Sequence, residues 1–118
     1  MTYAVDVITR EGHSLSGNRG ETVSYLVEVT NVGDTAEEFS IEVGFLPKDW
    51  TATPSLSTIE LDPSESDTFV LAVEIPNTAA ENEFAVIRTS VHVQETGYDH
   101  IYGYLDTNTT VNDGRIYG

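Results

Sequence analysis

The sequence predicts an all-β fold, an Ig-like antiparallel β-sandwich of about seven strands. Three observations lead there. Apolar residues recur at alternate positions in several separate segments. Turn-forming residues punctuate those segments roughly every 8–12 positions. No segment of useful length carries the helical period. The chain has 118 residues, the size of one domain, so a single sandwich over residues 1–112 with a tail or linker at 113–118 is expected.

Each element has its own warrant. Tyr3, Val5 and Val7 alternate with Ala4, Asp6 and Ile8, which predicts a first strand partly buried on both faces. Residues 9–20 are rich in Gly and Ser and read as a connection. Val23, Tyr25, Val27 and Val29 then form a β-branched and aromatic inward face. Asn31-Val32-Gly33-Asp34 reads as a turn, because Asn and Gly tolerate positive φ. Phe39, Ile41, Val43 and Phe45 form the next inward set, stopped by Pro47. Trp50 and Ala52, and then Ile59 and Leu61, fall on shorter strands around Pro54. Asp62-Pro63-Ser64-Glu65 is a further turn. Phe69, Leu71, Val73 and Ile75 alternate most cleanly and end at Pro76. Residues 77–83 form a polar connection. Residues 84–94 form a long strand with Ile87, Thr89, Val91 and Val93 on one face and Val86, Arg88, Ser90 and His92 on the other. Residues 95–98 read as a hairpin tip and 100–111 as the returning strand.

Composition excludes several classes of function. The chain has no cysteine, so disulfides, zinc-thiolate sites and thiol nucleophiles are absent. Net charge is −15, with 20 acidic residues against 5 Lys and Arg. Nucleic acid needs a basic surface and is excluded as a partner. An anionic membrane surface is disfavoured for the same reason, and no apolar run reaches the ~20 residues of a membrane-spanning helix, so direct membrane insertion is not expected. The start MTYAVDVITREG lacks a signal-peptide pattern, which fits a domain cut from a longer exported protein as well as a cytosolic one. The acidity has three readings: a solvated surface, adaptation to high salt, or divalent-cation binding. Lysine scarcity (Lys48 alone) and abundant Thr, Asp and Glu favour the salt reading.

The punctuation also carries a family resemblance. Val27-Glu28-Val29-Thr30-Asn31-Val32-Gly33, Pro47-Lys48-Asp49-Trp50, Leu61-Asp62-Pro63-Ser64-Glu65-Ser66 and Val73-Glu74-Ile75-Pro76 follow one another in order. This series resembles the NEW3 domain, a relative of CARDB adhesion-type modules in bacterial and archaeal exported and cell-surface proteins. Ser64 stands where that pattern has Gly, and Glu81-Asn82-Glu83-Phe84 lacks its Gly before the aromatic residue. The resemblance implies a sandwich with Trp50 in its core, an extracellular or cell-surface setting, neighbouring domains of the same surface protein as partners, and no shared catalytic set.

Candidate chemistry is sparse. A glycosidase needs two carboxylates held about 5–10 Å apart, one with a raised pKa. Glu37-Glu38, Asp62/Glu65/Asp67 and Glu81/Glu83 are the tightest acidic groups, and nothing marks a buried pair among them. No G-x-S-x-G nucleophile context exists. Calcium takes about six to eight oxygens; Asp34, Glu37 and Glu38 share one turn region and are the candidate ligands, and the stretch 106–113 is a second oxygen-rich region. His13, His92 and His100 include a pair that the last hairpin can bring together. Tyr102 and Tyr104, two apart on a strand, face one way and are candidates for stacking on a sugar ring or on a partner; cross-strand pairing is the competing reading. Asn108-Thr109-Thr110 is an N-glycan acceptor sequence. These features predict a non-catalytic spacer or adhesion-type module. The alternatives are a polysaccharide-binding accessory domain of a glycoside hydrolase, or a filament or surface-layer subunit pairing through its first strand.

Overall fold

The computed structural model describes residues 4–9, 12–80, 82–94 and 102–112. They form nine strands: β1 (Val5–Thr9), β2 (Ser14–Gly17), β3 (Thr22–Asn31), β4 (Glu37–Val43), β5 (Thr51–Pro54), β6 (Thr58–Leu61), β7 (Ser66–Glu74), β8 (Phe84–Val93) and β9 (Tyr102–Val111). One sheet has the order β1-β3-β7-β5 and the other β2-β9-β8-β4-β6. The fold is therefore a two-sheet β-sandwich with nine strands rather than about seven. The expected hairpin tip at 95–98, His100, Glu81 and the tail at 113–118 lie outside the described residues.

Burial follows the predicted alternation where a strand is central. Tyr25, Val27 and Val29 on β3 pack with Phe69, Leu71 and Val73 on β7, facing Phe39, Ile41, Ile87, Val91, Val93 and Leu105 of the opposite sheet. Trp50 is 3% exposed and joins this core. Truncating one such side chain costs about 2–5 kcal/mol, whereas an exposed ion pair contributes about 0–1 kcal/mol. The apolar interior, not surface charge pairing, holds the two sheets together.

Three expectations are corrected. The segment at 9–20 is not only a connection, because Ser14–Gly17 form β2, paired parallel with Asn108–Val111 of β9. The first strand's partial burial lies mainly on one face: Val7 is buried and Val5 half-buried, while on the other face Ala4 is half-buried and Asp6 and Ile8 are exposed on the outside of the four-stranded sheet. Phe45 is 92% exposed, because β4 ends at Val43 and the chain leaves the sheet through Gly44, whose amide reaches the Arg88 carbonyl (2.7 Å).

The Asn31 turn also works differently from its prediction. Neither Asn31 nor Gly33 has positive φ. Instead the buried Asn31 side chain accepts from the Gly33 amide (2.9 Å) and donates to the Thr35 (2.8 Å) and Leu61 (3.1 Å) carbonyls. Its backbone bonds Ser64 and Glu65. The Asn-x-Gly and Leu-x-Pro motifs therefore interlock at one pole of the sandwich. The Pro-x-x-Trp and Ile-Pro motifs meet at the other, where the Trp50 indole donates to Glu83 Oε2 (2.8 Å) in the loop that follows Pro76.

The chain changes sheet at every connection except β8 to β9. Both lateral edges are built this way. β1 covers the Asn31 half of β3, and β2 then covers the Val111 half of β9. β5 covers one half of β7, and β6 covers the opposite half of β4. The four edge strands are 4–5 residues long, a length that limits edge-to-edge pairing.

Candidate functional site

Among the described residues, the outer face of the five-stranded sheet carries the densest set of ring side chains. It arises from register. In the β8–β9 hairpin His92 stands opposite Tyr102, Ser90 opposite Tyr104, Arg88 opposite Asp106, Val86 opposite Asn108 and Phe84 opposite Thr110. Inward Ile87, Thr89, Val91 and Val93 alternate with these, so the core sets the parity that presents them outward. β4 adds Ser40 beside His92 and Glu42 beside Ser90.

Tyr102 and Tyr104 lie together as the two-residue spacing predicts, with ring centroids 6.2 Å apart and each about half exposed. His92 stacks on Tyr102 at 4.9 Å with an interplanar angle of 27°. The Arg88 guanidinium sits over the Tyr104 ring, 4.0 Å from its centroid. Arg88 also grips Asp106 through two bonds of 2.9 and 3.1 Å. That pairing holds the Asp106 carboxyl below its usual range and the guanidinium above its own. His92 Nε2 lies 3.0 Å from Ser90 Oγ and 3.5 Å from Glu42 Oε2. One face of each tyrosine ring is thus covered by a cross-strand neighbour. Phe84 and Val86 extend the exposed apolar strip toward the other pole.

Arg88, His92 and Asp106 were the partners missing from the sequence reading of the tyrosines. Alternation places Arg88 and His92 together on the strand face opposite Ile87, Thr89, Val91 and Val93. The hairpin register that opposes them to β9 depends on the length of the turn, and no residue pattern in the strands states it.

The remaining candidates are not gathered into a site. Glu37 and Glu38 are adjacent in β4 and point to opposite faces; Glu37 accepts a hydrogen bond from Thr35 Oγ1 (3.0 Å), and Glu38 stands outward opposite Glu60. With Asp34 they form no cation cluster: among the described residues no group of three His, Cys, Asp or Glu side chains is placed to hold a metal ion. Asn108 is half-buried in mid-strand between β2 and β8, with Oδ1 buried and without a hydrogen-bond partner, whereas glycan acceptors ordinarily occupy surface loops. His13 Nδ1 lies 3.2 Å from the Asp106 carbonyl, which places it beside β9 rather than beside His92.

Among the described residues, the groups whose titration the fold displaces all have structural partners. Besides Arg88 and Asp106 they are Glu83, lowered by the Trp50 and Ala80 N–H groups, and Tyr25, raised by burial. The Tyr25 hydroxyl donates to the Asn108 carbonyl (2.9 Å) and lies 2.9 Å from Thr109 Oγ1.

This two-sheet, Ig-like architecture has solved counterparts. A FixG-related protein from Vibrio parahaemolyticus superposes with a TM-score of 0.59 at 12% identity, over 96% of this chain and 97% of its own. The ASH/PapD-like domain 7 of human CEP192 gives 0.54 at 13% identity, over 94% and 87%. A family 123 glycoside hydrolase from Clostridium perfringens gives 0.64 at 6% identity, over 94% of this chain and 27% of that one. At such identities the likeness shows the fold alone. No family model and no curated protein matches the chain.

Proposed function

We propose that the chain is a non-catalytic spacer or adhesion-type module of the NEW3 or CARDB kind, in an exported or cell-surface protein, with neighbouring domains as its partners. The position of its two ends carries this reading. β1 begins beside the Asn31 turn, where the Val32 amide bonds the Ala4 carbonyl (3.1 Å). β9 ends at the other pole, where the Asn112 amide bonds the Gly17 carbonyl (2.9 Å). A chain that enters at one pole and leaves at the other adds its own length to whatever it links. The displaced titrations among the described residues support a non-catalytic role, since each is explained by burial or by a contact that holds the fold. The short edge strands weigh against a filament built by strand pairing.

The test is small-angle scattering on one, two and three copies joined through their own ends. Maximum dimension growing by one module length per copy supports the spacer. A dimension that stays nearly constant, with copies folded side by side, overturns it.

A second reading has a specific observation behind it. Exposed Tyr102, Tyr104 and Arg88, with the half-buried His92 ring stacked at the Tyr102 end, form a row of planar groups, which suits the face of a polysaccharide. Saturable binding on a glycan array, lost in Tyr102→Ala and Tyr104→Ala, would establish a carbohydrate-binding module. Absence of binding across the array removes this alternative.

A further inference from the structure

We infer that the parallel pairing of β2 with β9 is a mechanical clamp that resists tension applied through the two ends of the chain. The pairing joins the N-terminal region directly to the last strand. β2 and β9 run side by side in the same direction, with Ser14 opposite Asn108 and Gly17 opposite Val111. Ala4, the first described residue, lies at the Asn31 pole, and Asn112, the last, at the pole of Asn18. Tension therefore draws β2 toward one pole and β9 toward the other.

Hydrogen bonds between neighbouring strands lie across the strand axis. Under this load they are sheared together, since none lies at an opening end where it would break first. The bonds that bracket the pairing are Asn108 N–H to the His13 carbonyl (2.7 Å) and Asn112 N–H to the Gly17 carbonyl (2.9 Å). Side chains extend it at both ends, through His13 Nδ1 at the Asp106 carbonyl (3.2 Å) and Asn112 Nδ2 to Asn18 Oδ1 (2.9 Å). β9 is held on its other side by nine register pairs with β8. β1 meets the same geometry, because a pull on Ala4 slides it along β3 rather than lifting it. The hairpin β8–β9, by contrast, opens one bond at a time when its two ends at the Val111 pole are drawn apart.

The use of this clamp as a load path rests on the spacer reading, but its strength does not. Single-molecule force spectroscopy separates the two. The full chain is pulled first through its own ends, then between a linkage at Phe84→Cys and the C-terminal end; the absence of native cysteine makes that linkage specific. Phe84 is exposed and opposite Thr110, so the second geometry peels β8 from β9. The clamp predicts a single rupture several-fold stronger end-to-end than in the peeling geometry. Equal, weak ruptures in both overturn it while leaving the ends at opposite poles. Asn112→Pro, which removes the donor to Gly17, lowers the end-to-end force, whereas Ile59→Val in β6 leaves it unchanged even where both lower the melting temperature. A force that follows melting temperature in both variants also overturns the clamp.

Discussion

Ser64 has a φ of 68° at the third position of a turn in which the Glu65 amide bonds the Asp62 carbonyl (3.0 Å). Gly20 (φ 79°) and Asn82 (φ 63°) hold the same position in turns closed by Glu21 N to Asn18 O and Glu83 N to Ala80 O. In all three the glutamate that ends the turn folds back to accept the amide of the residue that begins it: Glu21 from Asn18 (2.6 Å), Glu65 from Asp62 (2.9 Å), Glu83 from Ala80 (3.1 Å). Part of the chain's acidity is therefore turn chemistry. Positive φ at this position favours glycine, so Ser64→Gly should raise stability by up to about 1 kcal/mol, and Ser64→Val should lower it; chemical denaturation checks both. Glu83 makes a second prediction. Its carboxylate is held below the ordinary value of 4.5 by the Trp50 indole N–H first, then by Ala80. A group depressed in the folded state contributes stability that is present above the unfolded value and lost as pH falls through the folded one. Fluorescence of Trp50, the sole tryptophan, should report a transition below about pH 4.5 that Glu83→Gln abolishes, since the amide oxygen still accepts the indole. A transition unchanged in that variant would contradict the assignment. The order of the motifs was legible in the sequence; that the Asn31 side chain reaches Leu61, and that Glu83 answers Trp50, was not, because both are contacts between turns distant along the chain.

Strands β3, β7 and β8 could be read in the sequence because their inward positions are buried at every second residue. β2 could not. SLSG holds one apolar residue, and its partner lies more than 90 residues further along the chain, so no local pattern announces it. Gly17 belongs there for a steric reason, since a Cβ would lie 3.0 Å from Ile75 Cδ1 and 3.2 Å from Val23 Cγ1. Phe45 misled for the opposite reason: it keeps the period of β4 beyond the point where the ladder ends. Gly103 ties β1 to β9. A Cβ at this position would come within 2.9 Å of the Val5 carbonyl oxygen and 3.0 Å of Val7 Cγ2. Backbone on that side cannot rotate away, so Gly103→Ala must displace β1 and should cost about 1–3 kcal/mol. Hydrogen exchange should show faster exchange in β1 and little change in β7; uniform protection equal to that of the parent chain would contradict the contact.

Across the whole molecule, two edge stretches that each change sheet midway close the sandwich, and its two ends stand at opposite poles. The tyrosine row was legible as two residues facing one way, and became a surface only through the β8–β9 register. The net charge of −15 acts at this scale as self-repulsion over a compact body. Screening shortens from about 10 Å at 0.1 M salt to about 3 Å at 1 M. The melting temperature should therefore rise with potassium chloride over that range, and a temperature insensitive to salt would remove the case for adaptation to high salt. The placement of the ends is the central claim, and a distance measures it directly. Spin labels at Ala4→Cys and Asn112→Cys are specific in a chain without cysteine. Pulsed electron resonance between them should give a narrow distribution at about 30 Å or more, the span of a ten-residue strand such as β3 at ~3.3 Å per residue. A distribution centred well below that length would place the ends together and contradict the account.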